Sequence, residues 1–295
     1  MARPRASLRV SAPLREALFA GSGMIERRAA RWEGVAAEEL AARWGLPAVH
    51  LYERVGSTND VARALAEAGA PAGTAVLAEE QVAGRGRSGR PWSSPPGLGV
   101  WLSMVLRPEP LAAPGLLPIL VGLAAAEALD PFVRPARVAL KWPNDLQLAG
   151  RKLAGILCEG SWEAGGPGFV VAGIGINVLH AEGDFPPELR ELATSVRIAA
   201  GWGPPRAEVA GAVAGAVFRR LAAPPAELGG ALLEALGGRD ALVGRGVRVT
   251  GGEELVGTAM GITPGGALLV RTTAGALRTV RSGTVRLDER APAAE

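Results

Sequence analysis

K-W-P-N-D-L-Q-L-A-G-R-K, residues 141 to 152, holds both lysines of a chain whose 32 Lys and Arg side chains are otherwise all arginine. A bias toward arginine has operated everywhere except here. An ammonium is a compact donor on a flexible stem, while a guanidinium is broad and planar, so the two differ wherever one charge must reach a single oxygen. The stretch also carries a structural pattern. Arg137 to Lys141 makes a short strand, Gly150 marks a turn, and Lys152 begins a longer strand that runs to Glu159. A lysine at that point presents its charge at the end of a sheet.

Working outward, Lys152 to Glu159 and Phe169 to Val178 are dense in β-branched and apolar residues, as strands at the centre of a sheet should be. Val49 to Val55 alternates as a strand, Ser57 or Thr58 is placed to cap a helix through Leu65 and Ala66, and Thr74 to Glu79 and Gly99 to Leu106 read as further strands. Gly34 to Pro47 looks like one amphipathic helix ended by Gly45. Gln81 to Gly99 is too rich in glycine and proline to be anything but a long loop. Arg206 to Leu236 is helical in pattern. Beyond Gly237 short apolar segments alternate with glycine turns, which predicts a separate small β-barrel. The chain therefore divides into an N-terminal extension with a short helix (1–48), a main domain (49–237) and a small β domain (238–290).

The 295 residues, 48% of them hydrophobic, are enough for one large core and a small one. A net charge of +3 favours anionic ligands without naming one. Cys158 is the single cysteine, which excludes an internal disulfide and a cysteine metal cluster and fits a reducing cytoplasm. Arg3, Arg5 and Arg9 lack the apolar core and cleavage site of a signal peptide. Leu111 to Ala126 is apolar, but Pro114, Gly115 and Pro118 interrupt it short of a membrane span, and a buried helix from near Pro118 is the better reading.

Asparagine is as informative as lysine. Asn59, Asn144 and Asn177 are the only three, in G-S-T-N-D, K-W-P-N-D and G-I-G-I-N-V. The loop G-R-G-R-S-G-R, residues 84 to 90, alternates Arg85, Arg87 and Arg90 with residues that let the backbone turn toward a ligand, a pattern suited to a polyphosphate. It is not a Walker loop, and Gly173 to Asn177 lacks the third glycine of a dinucleotide fingerprint. No nucleophile triad or zinc set is present; His50 and His180 read as surface or packing residues.

Taken together, these stretches resemble the biotin protein ligases. The matching residues are Gly56 to Asp60, Gly84 to Trp92, Lys141 to Asp145, Gly150 to Leu157 and Gly173 to Asn177, in the family's order. The glycine-punctuated tail is similar to its C-terminal SH3-like barrel. The resemblance implies an α+β fold: a mixed β-sheet flanked by helices, of the class II aminoacyl-tRNA synthetase-like type, with that small barrel. It implies a ligase that joins biotin to ATP as biotinyl-5'-AMP, with Mg2+ accompanying ATP, and then acylates one lysine of a biotin carboxyl carrier protein.

Carried over by position, Ser57, Thr58, Asn59, Gln81, Arg85, Gly86, Arg87, Lys152 and Gly173 are expected to bind biotin. Arg85, Arg87, Arg90, Trp92, Asn144, Lys152 and Asn177 are expected to bind ATP or the adenylate, Trp92 beside the adenine. Lys152, Arg87 and Asp145 are the catalytic candidates, Asp145 as the group that receives the acceptor lysine; no protein metal site is expected. A repressor's winged helix-turn-helix finds no room between Ala36 and Val49, so specific nucleic-acid binding is not expected, nor is a membrane. The rival activity is lipoate or octanoate transfer, which the resemblance implies shares the catalytic fold. A monomer and a homodimer both remain compatible with the family.

Overall fold

The computed structural model describes residues 26–108, 115–161, 168–252 and 254–288. Fifteen strands and six helices are defined among them. The main sheet is built from β1 (Arg27–Arg28), β4 (Ala48–Val55), β5 (Thr74–Gln81), β6 (Gly99–Leu106), β7 (Ala139–Lys141), β8 (Asp145–Leu148), β9 (Arg151–Ser161) and β10 (Phe169–Asn177). Their order is β1-β4-β5-β6-β10-β9-β8-β7, with β4 and β5 parallel and the other pairs antiparallel. Every residue of β6 is buried, as its unbroken apolar run predicts for a central strand.

Alternation along these strands assigns two faces. Ala75, Leu77, Leu102, Met104, Ala172, Ile174 and Ile176 face one core, covered by three helices: α1 (Ala37–Trp44), α3 (Leu117–Leu129) and α5 (Arg206–Leu221). α3 is apolar all round because it lies between the sheet and α5. Val76, Val105 and Val171 face the opposite way and pack under α2 (Thr58–Glu67) through Val61, Ala62 and Ala66. α2 covers only part of this second face. Beyond Val171 and Val105 the residues on it are Gly173, Gly175, Ser103 and Trp101, and the sheet is left open to a cleft.

The helical tract expected from Arg206 to Leu236 is two helices, α5 and α6 (Gly230–Gly237), with the short α4 (Val196–Ala200) before them. Pro224 and Pro225 separate the two. The expected extension 1–48 has no separate existence where it is described. β1 pairs with β4, the hairpin β2 (Arg31–Trp32) and β3 (Val35–Ala36) leads straight into α1, and Trp32 is buried under Arg206, whose guanidinium lies 5.0 Å from the ring centre. α1 is shorter than the composition suggested, but Gly45 ends it in the left-handed region at φ 67° as expected.

The small domain is one antiparallel sheet of β11 (Gly246–Thr250), β12 (Leu255–Ile262), β13 (Leu268–Thr272), β14 (Leu277–Val280) and β15 (Thr284–Leu287), an SH3-like arrangement in the order β14-β13-β12-β11-β15. It is tied to the main domain through the K-W-P-N-D turn, where buried Trp142 donates from Nε1 to the Gly266 carbonyl at 3.0 Å. Among the described residues no helix is long and apolar enough to cross a membrane.

His180 is a packing residue. It stacks on Phe185 at 4.9 Å, and burial, only partly offset by Asp184, pushes its imidazole down to about 4. Arg206 is the main buried ion-pair centre, donating to Glu33 at 3.0 Å and to both oxygens of Glu79 at 2.9 and 3.0 Å. Burial works against the Glu79 carboxylate, but the bonds and charge of Arg206 outweigh it and hold the group below its usual 4.5. That stabilisation is present above pH 4.5 and is lost as pH falls through the lower folded value. Arg206→Met, which leaves two carboxylates uncompensated, is expected to cost ~3 to 5 kcal/mol in urea unfolding at pH 7. The cost should shrink in acid; an equal cost at both pH values would contradict this assignment.

A cationic cleft on the open face of the sheet

The open face is organised by strand register. Directly opposed residues of antiparallel strands share a face, and Trp101, Gly175, Gly155, Asp145 and Lys141 are opposed in succession across β6, β10, β9, β8 and β7. They form one row across the floor of a cleft of about 640 Å³. The two glycines make room for a tryptophan. A methyl group on Gly175 would lie 2.6 Å from the Trp92 ring, and one on Gly155 2.9 Å. Trp92 thus lies on bare backbone, edge-on to Trp101 with ring centres 6.5 Å apart.

Lys152 reaches this face through a defect in the ladder. Strict alternation from Gly155 would turn position 152 toward the core. Between Leu146–Ala154 and Gln147–Lys152 the register shifts, leaving Leu153 as an extra residue. Leu153 and Ala154 are both fully buried, and Lys152 turns out into the cleft, the re-aiming that a β-bulge produces. Its Nζ lies 2.7 Å from Asp145 Oδ1 and 5.2 Å from the Trp92 ring centre. Backbone bonds from Lys152 N to Leu192 O and from Thr194 N to Lys152 O fix the residue on its other side.

At the α2 end the groups are neutral. Gln81 Oε1 accepts from Thr58 N at 2.8 Å and Thr58 Oγ1 at 2.9 Å, so Gln81 meets the helix N-terminus while Ser57, the N-cap residue, makes no side-chain cap bond. Ser103 Oγ is 2.7 Å from Thr58 Oγ1 and 2.6 Å from Asn59 Oδ1. Asn59 Nδ2 donates to Glu159 at 2.6 Å, and a methyl on Gly173 would meet Asn59 Oδ1 at 2.3 Å. The result is a fixed rack of donors and acceptors over the Gly173 backbone.

The arginine loop folds over the cleft as a hairpin that bonds to itself. Trp92 N donates to Gly84 O at 2.8 Å and Gly86 N to Arg90 O at 2.7 Å, with Ser88 at φ 58° in the tip. The Gly86 amide is thereby used within the loop. Arg85 lines the cleft, yet its guanidinium is bonded to both oxygens of Asp60 and lies 3.7 Å from Glu159, pairings that raise its pKa further. Arg87 is different: burial lowers its pKa, and its contacts are long, 3.4 Å to Asn144 Oδ1 and 3.4 Å to the Gly283 carbonyl. Arg90 donates to Thr284 Oγ1 at 3.0 Å. Asn144 Nδ2 donates to Ile156 O at 2.7 Å, which pins the K-W-P-N-D turn to β9.

All of the sequence-derived site residues except Asn177 line this one cleft. Asn177 is buried at the end of β10, on the same face as Gly173 and Gly175, and donates to Thr194 O at 3.0 Å and Lys152 O at 3.4 Å; its amide braces the backbone of the lysine. Sequence reasoning passed over Asp60, Ser103, Glu159 and the small-domain residues Gly283, Thr284 and Arg286. The glycines at 155, 173 and 175 carried a legible signal, small residues at alternate positions of otherwise bulky strands; Ser103 and Thr284 carried none.

Residues 51–177 match the Biotin/lipoate A/B protein ligase family and residues 242–288 the Biotin protein ligase C terminal domain. Both matches are to domains of biotin protein ligases, which the chain resembles over these residues. It is 42% identical over 151 residues to the bifunctional ligase/repressor BirA of Bacillus subtilis, covering 51% of this chain and 46% of that one. It is 40% identical over 144 residues to a biotin–acetyl-CoA-carboxylase ligase of Mycobacterium tuberculosis, 47% of this chain and 52% of that one. The chain thus spans about half the length of the curated relatives it matches. The solved biotin protein ligase of Aquifex aeolicus, in complex with biotin and ATP, superposes with a TM-score of 0.70 at 27% identity, covering 81% of this chain and 99% of that one.

The floor makes a direct prediction. Gly175→Ala in this ligase-family cleft overpacks against Trp92 and should cost ~1 to 3 kcal/mol. Gly252→Ala, whose methyl would find its nearest neighbour at an ordinary 3.7 Å, should cost much less. Thermal denaturation of the two variants checks this; equal losses would mean that Trp92 does not rest on Gly175.

Proposed function

We propose that this chain is an ATP-dependent biotin ligase: it forms biotinyl-5'-AMP and transfers biotin to one lysine of a carboxylase's biotin carrier domain. The observation that carries the reading is the pairing, in one cleft, of a neutral hydrogen-bonding rack with a cationic clamp. A ureido ring needs fixed neutral donors and acceptors, and Ser57, Thr58, Asn59 and Gln81 supply them over Gly173. A carboxylate and a triphosphate need cations, and Arg87, Arg90 and Lys152 stand over the adjoining floor. The Aquifex aeolicus relative bound to biotin and ATP supports the same pair of ligands.

In the first step a biotin carboxylate oxygen attacks the α-phosphorus of ATP and pyrophosphate leaves. Two anions must meet, and the Lys152 ammonium is preorganised to hold the phosphoryl oxygens as charge collects on them. Magnesium accompanying ATP would need few protein carboxylates, which suits a cleft where Asp145 is the one carboxylate among the described lining residues. Trp92, lying on glycine backbone beside Lys152, offers an apolar face to the nucleotide base.

In the second step the carrier lysine must arrive neutral, a state held by only about one molecule in 10³ at pH 7. Asp145 is engaged by Lys152 at 2.7 Å. Once Lys152 turns to the phosphate, the freed carboxylate can receive the incoming ammonium and assist loss of its proton. The amine then attacks the anhydride carbonyl and AMP departs. The hairpin of Arg85 to Arg90, closed over the floor, keeps water from the anhydride meanwhile. The free thiol of Cys158 suits the reducing cytoplasm in which a carboxylase would be modified.

Incubating the protein with MgATP, a carrier domain and either biotin or lipoate, then weighing the carrier by mass spectrometry, tests the reading. Biotin should add one biotinyl group and lipoate nothing; modification by lipoate alone would replace this function with its rival. Lys152→Gln should lower biotin-dependent pyrophosphate exchange by ~10² to 10³. Asp145→Asn should instead slow transfer from preformed adenylate and shift its pH dependence, and normal transfer in that variant would remove Asp145 from the second step.

A further inference from the structure

The amide of Asn59 is aimed by a residue that stands behind the cleft wall. Glu159, opposite Val171 on β9, is not among the residues lining the cleft; its carboxylate accepts from Asn59 Nδ2 at 2.6 Å. A longer contact of 3.4 Å joins the same Nδ2 to Leu157 O. An ionised carboxylate and a carbonyl can only accept, so both demand the NH2 of the amide, and Oδ1 is turned toward Ser103 at 2.6 Å. Arg63 and Arg85 flank the carboxylate at 3.7 Å each, so its charge is not isolated.

The consequence runs along a row of four oxygens. Gln81 Oε1, Thr58 Oγ1, Ser103 Oγ and Asn59 Oδ1 stand at successive distances of 2.9, 2.7 and 2.6 Å. These are three hydrogen-bonding contacts, yet only the two hydroxyls between the ends carry protons. Both ends are amide oxygens. Gln81 is held in that sense by the Thr58 backbone N–H and by Ser94 Oγ, which takes its Nε2; Asn59 is held so by Glu159. The row is therefore one proton short, and a buried contact between two oxygens without a proton is unfavourable. Ser103 is fully buried, while Thr58, Gln81 and Asn59 line the cleft, so the missing donor must come from the cleft side. An N–H entering beside Thr58 donates to Gln81 Oε1, and Thr58 turns its own proton to Ser103.

We propose that Glu159 is a positioning residue: acting through Asn59, it sets the polarity of the rack and so selects a ligand head that donates N–H. The cyclic urea of biotin has such groups and the cyclic disulfide of lipoate has none. A neutral amide at 159 can donate as well as accept. It would let Asn59 turn over, present its NH2 to Ser103 and complete the row from within, which leaves no place for a ligand proton. The choice of ligand rests on the ligase reading, but the orientation of Asn59 is measurable with no ligand at all.

Isotopic nitrogen labelling of the asparagine side chains, read by magnetic resonance, tests the orientation. The chain has three asparagines, and the Asn59 amide pair is assigned by its disappearance in Asn59→Ala. In the parent an Asn59 amide proton should be shifted downfield by its charge-assisted bond to the carboxylate, and Glu159→Gln should abolish that shift. Titration calorimetry with biotin, in the absence of ATP, reads the ligand side. Glu159→Gln should weaken biotin by about tenfold, the loss of one net hydrogen bond, and leave ATP binding as it is. In an Asn59→Ala background the same substitution should have no further effect, since it acts through that amide. An Asn59 amide that ignores Glu159→Gln, undiminished biotin binding in that variant, a matching loss for ATP, or losses that add in the double variant would each overturn the assignment. If the parent shows the amide shift but binds no biotin, Glu159 still positions Asn59 and the ligase reading falls. If parent and Glu159→Gln bind biotin alike, the reading stands and the assignment falls.

Discussion

The cleft depends on a steric constraint: on the open face of the sheet, β10 and β9 carry no side chain at 173, 175 and 155. Any methyl at these points would enter Asn59 or the Trp92 ring at 2.9 Å or less. Because the three glycines share one face while Ala172, Ile174, Ile176, Ala154 and Ile156 share the other, the strands are fully packed below and bare above. A sheet in this state can hold a flat aromatic ring and an extended ligand directly against its backbone. The rack at Asn59, the Trp92 platform and the flap all rest on that one surface.

Charge is distributed over the surface with similar economy. Asp60 and Glu159 neutralise Arg85 at the root of the flap, so its first arginine acts as an anchor. Arg87, with only long contacts and a partly desolvated guanidinium, is left able to take a ligand. The Lys152–Asp145 pair is partly exposed, and a pair of that kind is worth little to stability. What it fixes is the position of the Lys152 ammonium beside the Trp92 ring.

Much of this was legible in the chain. The scarce lysines and asparagines pointed to the cleft, and four of these five residues do line it. Asn177 misled because rarity signals a constraint without saying whether it is chemical or architectural; its amide braces the Lys152 backbone. The helix cap was misread for a related reason. Ser57 is the usual residue type for the task, yet Gln81, far along the chain, takes the orphan amide of Thr58 and leaves the serine to the cleft.

By itself the sequence determined most strands of the main sheet, the small β domain and the arginine loop, since each is written in local periodicity, turn chemistry or composition. Only the tertiary structure decided where Lys152 points, because a single unpaired residue in the β8–β9 ladder reverses the alternation on which any reading of faces relies. It also decided that the arginine loop meets the small domain at Gly283 and Thr284, and that the K-W-P-N-D turn meets it at Gly266. Such contacts join segments more than a hundred residues apart, and no local pattern encodes them.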